Sequence, residues 1–213
     1  MAKKERAPRY KTPKGEALYP YLTVPDEYEG RKSWKVDLRL PADSEECEKL
    51  KATIDPLVEQ AFVEKMEGLK GKQLAKAKKD GSKYYPYEDE YDDDGNATGD
   101  VIFTFKRVAE YTDKNTGELK PINIFRYDRF GKRIQDEEIE TKIGNPANGT
   151  TLRVEWEPFL YYNPSNTTFG CSCRIVSVQF VDIKQYEGGN AGWGDESDGS
   201  EAPAYDPDDR DDF

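Results

Sequence analysis

Ser33-Trp34-Lys35-Val36-Asp37-Leu38-Arg39-Leu40 alternates without a break. Trp34, Val36, Leu38 and Leu40 point one way, and Lys35, Asp37 and Arg39 point the other. Successive side chains of an extended chain project to opposite faces, so this stretch reads as a strand with one face in a core and one in water. Upstream, residues 16–24 contain Leu18, Tyr19, Tyr21, Leu22 and Val24 and read as a companion strand. Downstream the period changes. Asp43 is placed to cap a helix, with Glu46 three residues on. Leu50, Ile54, Leu57, Val58, Ala61 and Phe62 then recur on one helical face, and Pro56 is expected to kink or break it. After Met66 the pattern fades into a lysine-rich stretch, residues 70–83, then Tyr84, Tyr85 and Tyr87 around Pro86, and an acidic cluster up to Gly95.

From Val101 the chain reads as β. Strands are expected at residues 101–111, 121–127, 151–159 and 171–183. A hairpin turn is expected around Asn115 and Gly117, and another turn at Gly131. Two strands, one long helix and about four more strands fit a mainly β fold. The expected architecture is an OB-fold: a five- to six-stranded antiparallel barrel with one long helix inserted after the second strand. A general α+β sheet fits the same string. The expected division is a flexible basic arm over residues 1–14, the barrel over 15–187, and a glycine-rich linker with an acidic, disordered tail over 188–213.

Net charge is −11 over 213 residues, but it is unevenly spread. Residues 194–213 hold nine acids and one base, which is −8 and leaves −3 for the first 193 residues. Six more acids lie between Glu88 and Asp94, so the rest of the body is basic. There is no histidine, which removes the usual general base and zinc ligand. The three cysteines, Cys47, Cys171 and Cys173, are odd in number and read as reduced, cytosolic thiols. No apolar run is long enough to span a membrane, and the N-terminus lacks the apolar core of a signal peptide.

Enzyme and metal chemistry find no footing. Glu90, Asp92, Asp94 and Gly95 match the first positions of a calcium loop, but Val101 stands where the bidentate glutamate belongs. A two-metal nuclease needs carboxylates converging from several strands, and here they crowd one loop. No paired CxxC, Walker loop or GxSxG elbow is present. A non-enzymatic protein without metal or cofactor is expected.

Cations and aromatics do interleave, which suits single-strand recognition by phosphate neutralisation and base stacking. Lys79 and Lys83 lead into Tyr84 and Tyr85; Lys106 and Arg107 lead to Tyr111; Arg126 lies among Phe125, Tyr127 and Phe130. Arg153 stands on the strand that ends in Phe159, Tyr161 and Tyr162. Adjacent strand residues face opposite ways, so one of Tyr161 and Tyr162 is expected outside the core. The chain ends in Asp208-Asp209-Arg210-Asp211-Asp212-Phe213. A terminal ring behind repelling carboxylates can enter an apolar pocket while the acids meet a basic rim. Tethered by a glycine linker, the same polyanion can compete with DNA for the protein's own basic groove.

In the order of its elements the chain resembles the acidic-tailed single-stranded DNA-binding proteins of tailed bacteriophages, the T-odd replication type. The resemblance is carried by Met1-Ala2-Lys3-Lys4, by Lys35-Val36-Asp37-Leu38 closing at Pro41, by Phe103-Thr104-Phe105-Lys106, by Ile122-Asn123, by Leu152-Arg153-Val154, by Pro158-Phe159 and by the terminal Asp211-Asp212-Phe213. It implies an OB-fold that binds single strands without strong sequence preference, and a homodimer formed through tail contacts. It implies that the tail recruits phage DNA polymerase and helicase/primase during replication, recombination and repair in the cytoplasm of the infected host. It places DNA contacts at Lys3, Lys106, Arg153 and Phe159, with Phe159 and Leu160 standing where a tyrosine and a lysine are usual. Two other readings stay open at this point: an acidic DNA mimic that inhibits a host DNA-binding protein, and a duplex-binding or annealing protein.

Overall fold

The structure is a computed structural model that describes residues 8–186. The chain is mainly β. The short β1 (Tyr10–Lys11) and the long β2 (Gly15–Tyr28) precede β3 (Arg31–Pro41). Helix α1 (Glu45–Gly68) and helix α2 (Gly71–Asp80) follow, then β4 (Ser82–Tyr84), β5 (Tyr87–Tyr91) and β6 (Ala97–Val108). A hairpin of β7 (Glu110–Thr112) and β8 (Leu119–Pro121) leads to β9 (Phe125–Tyr127), β10 (Arg133–Ile134) and the short α3 (Ile139–Lys142). The long strands β11 (Thr151–Asn163) and β12 (Thr168–Asp182) complete it.

Five strands pair in a closed ring: β2 with β3, β3 with β6, β6 with β12, β12 with β11, and β11 back to β2. The ring is not wholly antiparallel as expected. β12 runs parallel to β6 at the single bridge Cys173–Phe105, and parallel to β4 and β9 as well. The register puts Trp34, Val36, Leu38 and Leu40 of β3 inside with Val101, Phe103 and Phe105 of β6, Val154 and Trp156 of β11, and Ile175 of β12. Alternation in the sequence therefore reads directly as inside and outside of the barrel.

Helix α1 follows the second long strand and packs on β11 and β12. It buries Cys47, Leu50, Ile54, Val58 and Ala61, at helical spacing. Ser44, not Asp43, is its cap: the Ser44 hydroxyl accepts from the Cys47 N–H at 3.1 Å. Pro56 does not break it. Pro56 and Ala52 are both exposed, so the carbonyl that loses its partner faces water. The lysine-rich stretch forms α2, where only Ala77 is buried. Its lysines, alanines, leucine and glutamine favour helix, but they carry no apolar stripe for a periodicity argument to find.

Two local features depart from the simple reading. Tyr10 and Lys11 belong to the stretch expected to be a flexible arm, yet they pair with Trp156 and Glu155 of β11. The Tyr10 ring packs 5.0 Å from that of Trp156, an apolar contact that ties the segment down. In β2 the register slips between Leu18 and Tyr21, and Tyr19 adopts a φ of 48°. That conformation costs a non-glycine residue about 1–2 kcal/mol, and the Tyr19 N–H is held by Asn148 Oδ1 at 2.7 Å.

Candidate nucleic-acid interface

Phe105 and Cys173, the bridging pair of β6 and β12, both point inward. The next residue on each strand, Lys106 and Arg174, therefore points out. Lys106 is exposed and lies opposite Lys35 of β3, which in turn lies opposite the exposed Tyr21 of β2. A row Tyr21–Lys35–Lys106 thus crosses three strands, with the Lys35 ammonium 5.9 Å from the Tyr19 ring. On the adjoining strands Arg174 lies flat on Phe159, its guanidinium carbon 3.4 Å from the ring centroid. Arg107 donates to the Ile175 carbonyl at 3.0 Å and to Glu157 at 3.4 Å. Burial first, and then the neighbouring Arg107, push the Arg174 guanidinium below its ordinary value against the pull of Glu157.

Tyr161 and Tyr84 extend the row past Phe159. They approach Gly170 from opposite sides, since Tyr161 pairs with Gly170 from β11 and Tyr84 from β4. A Cβ at position 170 would fall 2.7 Å from the Tyr161 hydroxyl and 3.0 Å from the Tyr84 carbonyl, so only glycine lets the Tyr161 ring cross β12. Burial, with Glu88 and Asp37 for Tyr84 and with Tyr84 for Tyr161, raises both phenols above their ordinary value. Both stay neutral, flat and able to donate at physiological pH.

Other residues singled out from the sequence lie elsewhere. The Lys83 ammonium bonds both Glu59 oxygens at 2.6 Å and sits over Phe62, on the α1 side of the barrel. Tyr85 donates to the same Glu59 at 3.3 Å. Tyr162 turns away from Tyr161 and stacks 4.6 Å from Phe169, so the two tyrosines do take opposite faces. Arg126 is 3% exposed and is committed to the Leu22 and Ile124 carbonyls and the Trp34 face. Its place in the core removes it from the interface. Tyr111 is exposed on the β7–β8 hairpin, and Lys79 is exposed on α2. Arg153 is exposed toward the other end of β11, beside Lys11 and Gln179. Lys3 and the tail residues Asp208, Asp209, Asp211, Asp212 and Phe213 lie outside the described residues. Arg174 and Lys35 went unsingled in the sequence. Each is one charge on a strand of ordinary alternation, and only strand pairing brings them beside Phe159 and Lys106.

The family model described as "Single-stranded DNA-binding protein, Bacteriophage T7" matches residues 16–183, which include all of the ring of strands but Gly15. The chain belongs to this family. It is 32% identical over 188 residues to the single-stranded DNA-binding protein of Escherichia phage T7, covering 84% of this chain and 77% of that protein. It is 32% identical over 190 residues to the counterpart from Enterobacteria phage T3, with the same coverage of 84% and 77%. Among solved structures, gp2.5, a single-stranded DNA-binding protein encoded by bacteriophage T7, superposes with a TM-score of 0.66 at 24% identity, over 94% of this chain and 100% of that one. The single-stranded DNA-binding protein from bacteriophage Enc34 in complex with ssDNA matches with a TM-score of 0.55 at 14% identity, over 83% of this chain and 88% of that one. Both structures share the fold. Cations and open aromatic rings adjoin across the barrel strands on the face built by Lys35, Lys106, Arg174, Phe159, Tyr161 and Tyr84, and again where Arg133 lies over the exposed Phe125 at 4.5 Å and Arg129 over the exposed Phe130 at 5.3 Å.

Proposed function

We propose that this chain is a non-enzymatic protein that binds and coats single-stranded DNA in phage replication, recombination and repair, in the cytoplasm of the infected host. One observation carries this reading. In a chain of this family, one outer barrel face aligns Lys35, Lys106 and Arg174 with Phe159, Tyr161 and Tyr84. Cations there neutralise phosphates, and the rings offer sequence-tolerant stacking. The five-stranded ring, with its parallel contact between β6 and β12, is read as an OB-type barrel. Arg153, Arg107, Tyr111, Lys79 and Lys3 are read as flanking contacts.

The acidic tail is read as a competitor for this face and, once displaced by DNA, as the dock for polymerase and helicase/primase. It is also read as the contact that holds a homodimer. A salt-dependent titration of the full chain and of a chain ending at Gly194, against poly-dT and a matched duplex, tests this. Tight single-strand binding that weakens with salt and strengthens on truncation is the expected result. Absence of binding to either DNA by both chains overturns it.

A further inference from the structure

A broad concavity lies beyond the edge of β2, past Tyr19. Its floor is apolar and aromatic, with Pro20, Val24, Pro25, Pro146 and Tyr186 among its residues. Its walls carry Asp26, Glu27, Asp136 and Glu140, and no lysine or arginine lines it. Arg126 reaches Asp136 at 3.8 Å, whereas Asp26, Glu27 and Glu140 have no cation within 4.0 Å among the described residues. Asp26 and Glu140 without a paired cation, and Glu27 with only its cross-strand neighbour Lys32, surround apolar residues of which Val24 is 70% and Tyr186 62% exposed.

We propose that this groove docks an extended, lysine- or arginine-bearing segment of a partner protein. Nucleic acid carries the same sign as the groove and is repelled, and so is the chain's own acidic tail. A cationic peptide meets it on both counts. Its charged heads pair with the rim, and its aliphatic stems and any prolines lie on the tyrosine and proline floor. Past Tyr19 no described strand pairs with the β11-side edge of β2, although Arg126 takes the Leu22 carbonyl at 2.6 Å. Pairing of β2 with β11 ends at Glu16, and the Ala17 and Tyr19 amides are the last on that edge to be met, by the Thr150 carbonyl and Asn148. Pro20 and Pro25 lack N–H groups and so keep this edge from pairing indiscriminately. The strained Tyr19 turns the chain into the groove at the point where the lysine row of the neighbouring face begins. Tyr186, the last described residue, stands at the groove's margin, and the acidic segment follows it. A basic partner engaged there lies beside the DNA face and meets it at Tyr19 and Tyr21.

The test uses the full chain and a fluorescein-labelled peptide of three Lys-Pro-Lys repeats, read by anisotropy with and without saturating poly-dT. The groove variant carries Asp26→Asn, Glu27→Gln and Glu140→Gln; a charge-matched control carries Asp89→Asn on β5 with Asp93→Asn and Asp94→Asn on the turn that follows it. The groove variant is expected to bind the peptide at least about tenfold more weakly, with the control within about twofold of the native chain and poly-dT binding unchanged in both. Val24→Lys, an exposed position that needs no refolding of the core, is expected to give the same loss. Equal losses in groove variant and control, or none in the groove variant, overturn the proposal. It is also overturned if sedimentation shows the groove variant losing self-association while peptide affinity holds, which makes the groove a contact between copies. Failure of the native chain to bind poly-dT strikes at the DNA reading and leaves the peptide result standing.

Discussion

The Arg174 guanidinium lies over the Phe159 ring, 3.4 Å from its centroid, and covers one face of a ring that stays 43% exposed. The pair forms because Phe159 sits opposite Ser172, a small neighbour, and Arg174 lies diagonally across the ladder. A base stacked here meets an aromatic plane and a cation together. Phe159→Ala is expected to weaken poly-dT binding by about 1–3 kcal/mol, and Phe159→Tyr by much less. Fluorescence titration measures both. In a double-mutant cycle with Arg174→Ala the two losses should not add, because each residue orients the other. Full additivity would show that the stack has no part in binding.

Lys35 and Lys106 should act through phosphates. Replacing either by alanine is expected to reduce the slope of log K against log salt by about 0.7, the value for one single-strand phosphate contact. Lys83→Ala is expected to leave the slope unchanged, because its ammonium is already held by Glu59 on the other side of the barrel. The contrast is read from titrations at four or five salt concentrations.

Tyr161 and Tyr162 are neighbours in sequence with separate duties. Tyr161→Ala is expected to lower DNA affinity with little change in urea midpoint. Tyr162→Ala is expected to lower stability by about 1–3 kcal/mol through its lost contact with Phe169, with affinity of the folded protein retained. Gly170→Ala should mimic Tyr161→Ala, since a methyl group at 170 displaces the Tyr161 ring.

Arg126 is a cation that DNA does not reach. Arg126→Met is expected to cost about 3 kcal/mol in urea denaturation, because the Leu22 and Ile124 carbonyls lose charged donors. DNA affinity of the folded fraction should hold within about twofold. A binding defect without a stability defect would contradict the buried geometry.

The pH profile follows from carboxylates held below their ordinary range. Lys120 and the Asn115 amide lower Asp113, the Asn96 amide lowers Asp92, and Lys142 with the Gln135 amide lowers Glu138. A lowered folded value means that the folded chain binds fewer protons than the unfolded chain near pH 4. The stability these groups supply is therefore complete above their unfolded values of about 4 and is lost as pH falls through the folded ones. With no histidine in the chain, the urea midpoint is expected to be level from about pH 5 to 8 and to fall below about pH 4. A transition near pH 6.5 would run against this assignment.

Much of the fold was legible because it rests on periodicity. The β3 alternation, the apolar face of α1 and the last two strands are all local signals, and each appears within a few residues of its expected bounds, whereas the strand expected at 121–127 is reduced to β9 at Phe125–Tyr127. Helix α2 was missed because solvated lysines make helix without making a stripe. The site was less legible. Lys106 and Phe159 stood out as members of charged and aromatic clusters, but the same clustering also pointed to Arg126, Lys83 and Tyr85, which pack inward or against α1.

The order of charges and rings along this chain is enough to determine a half-buried β domain, an uneven charge and a resemblance to a phage family, because those properties depend on near neighbours and totals. Which cations and rings meet is decided only by the tertiary structure. Lys106 and Arg174 are far apart in the chain and become neighbours through one parallel bridge between β6 and β12. Tyr161 and Tyr84 converge because a glycine on β12 leaves room between them. Strand pairing over long separations sets these contacts, and no local period records them.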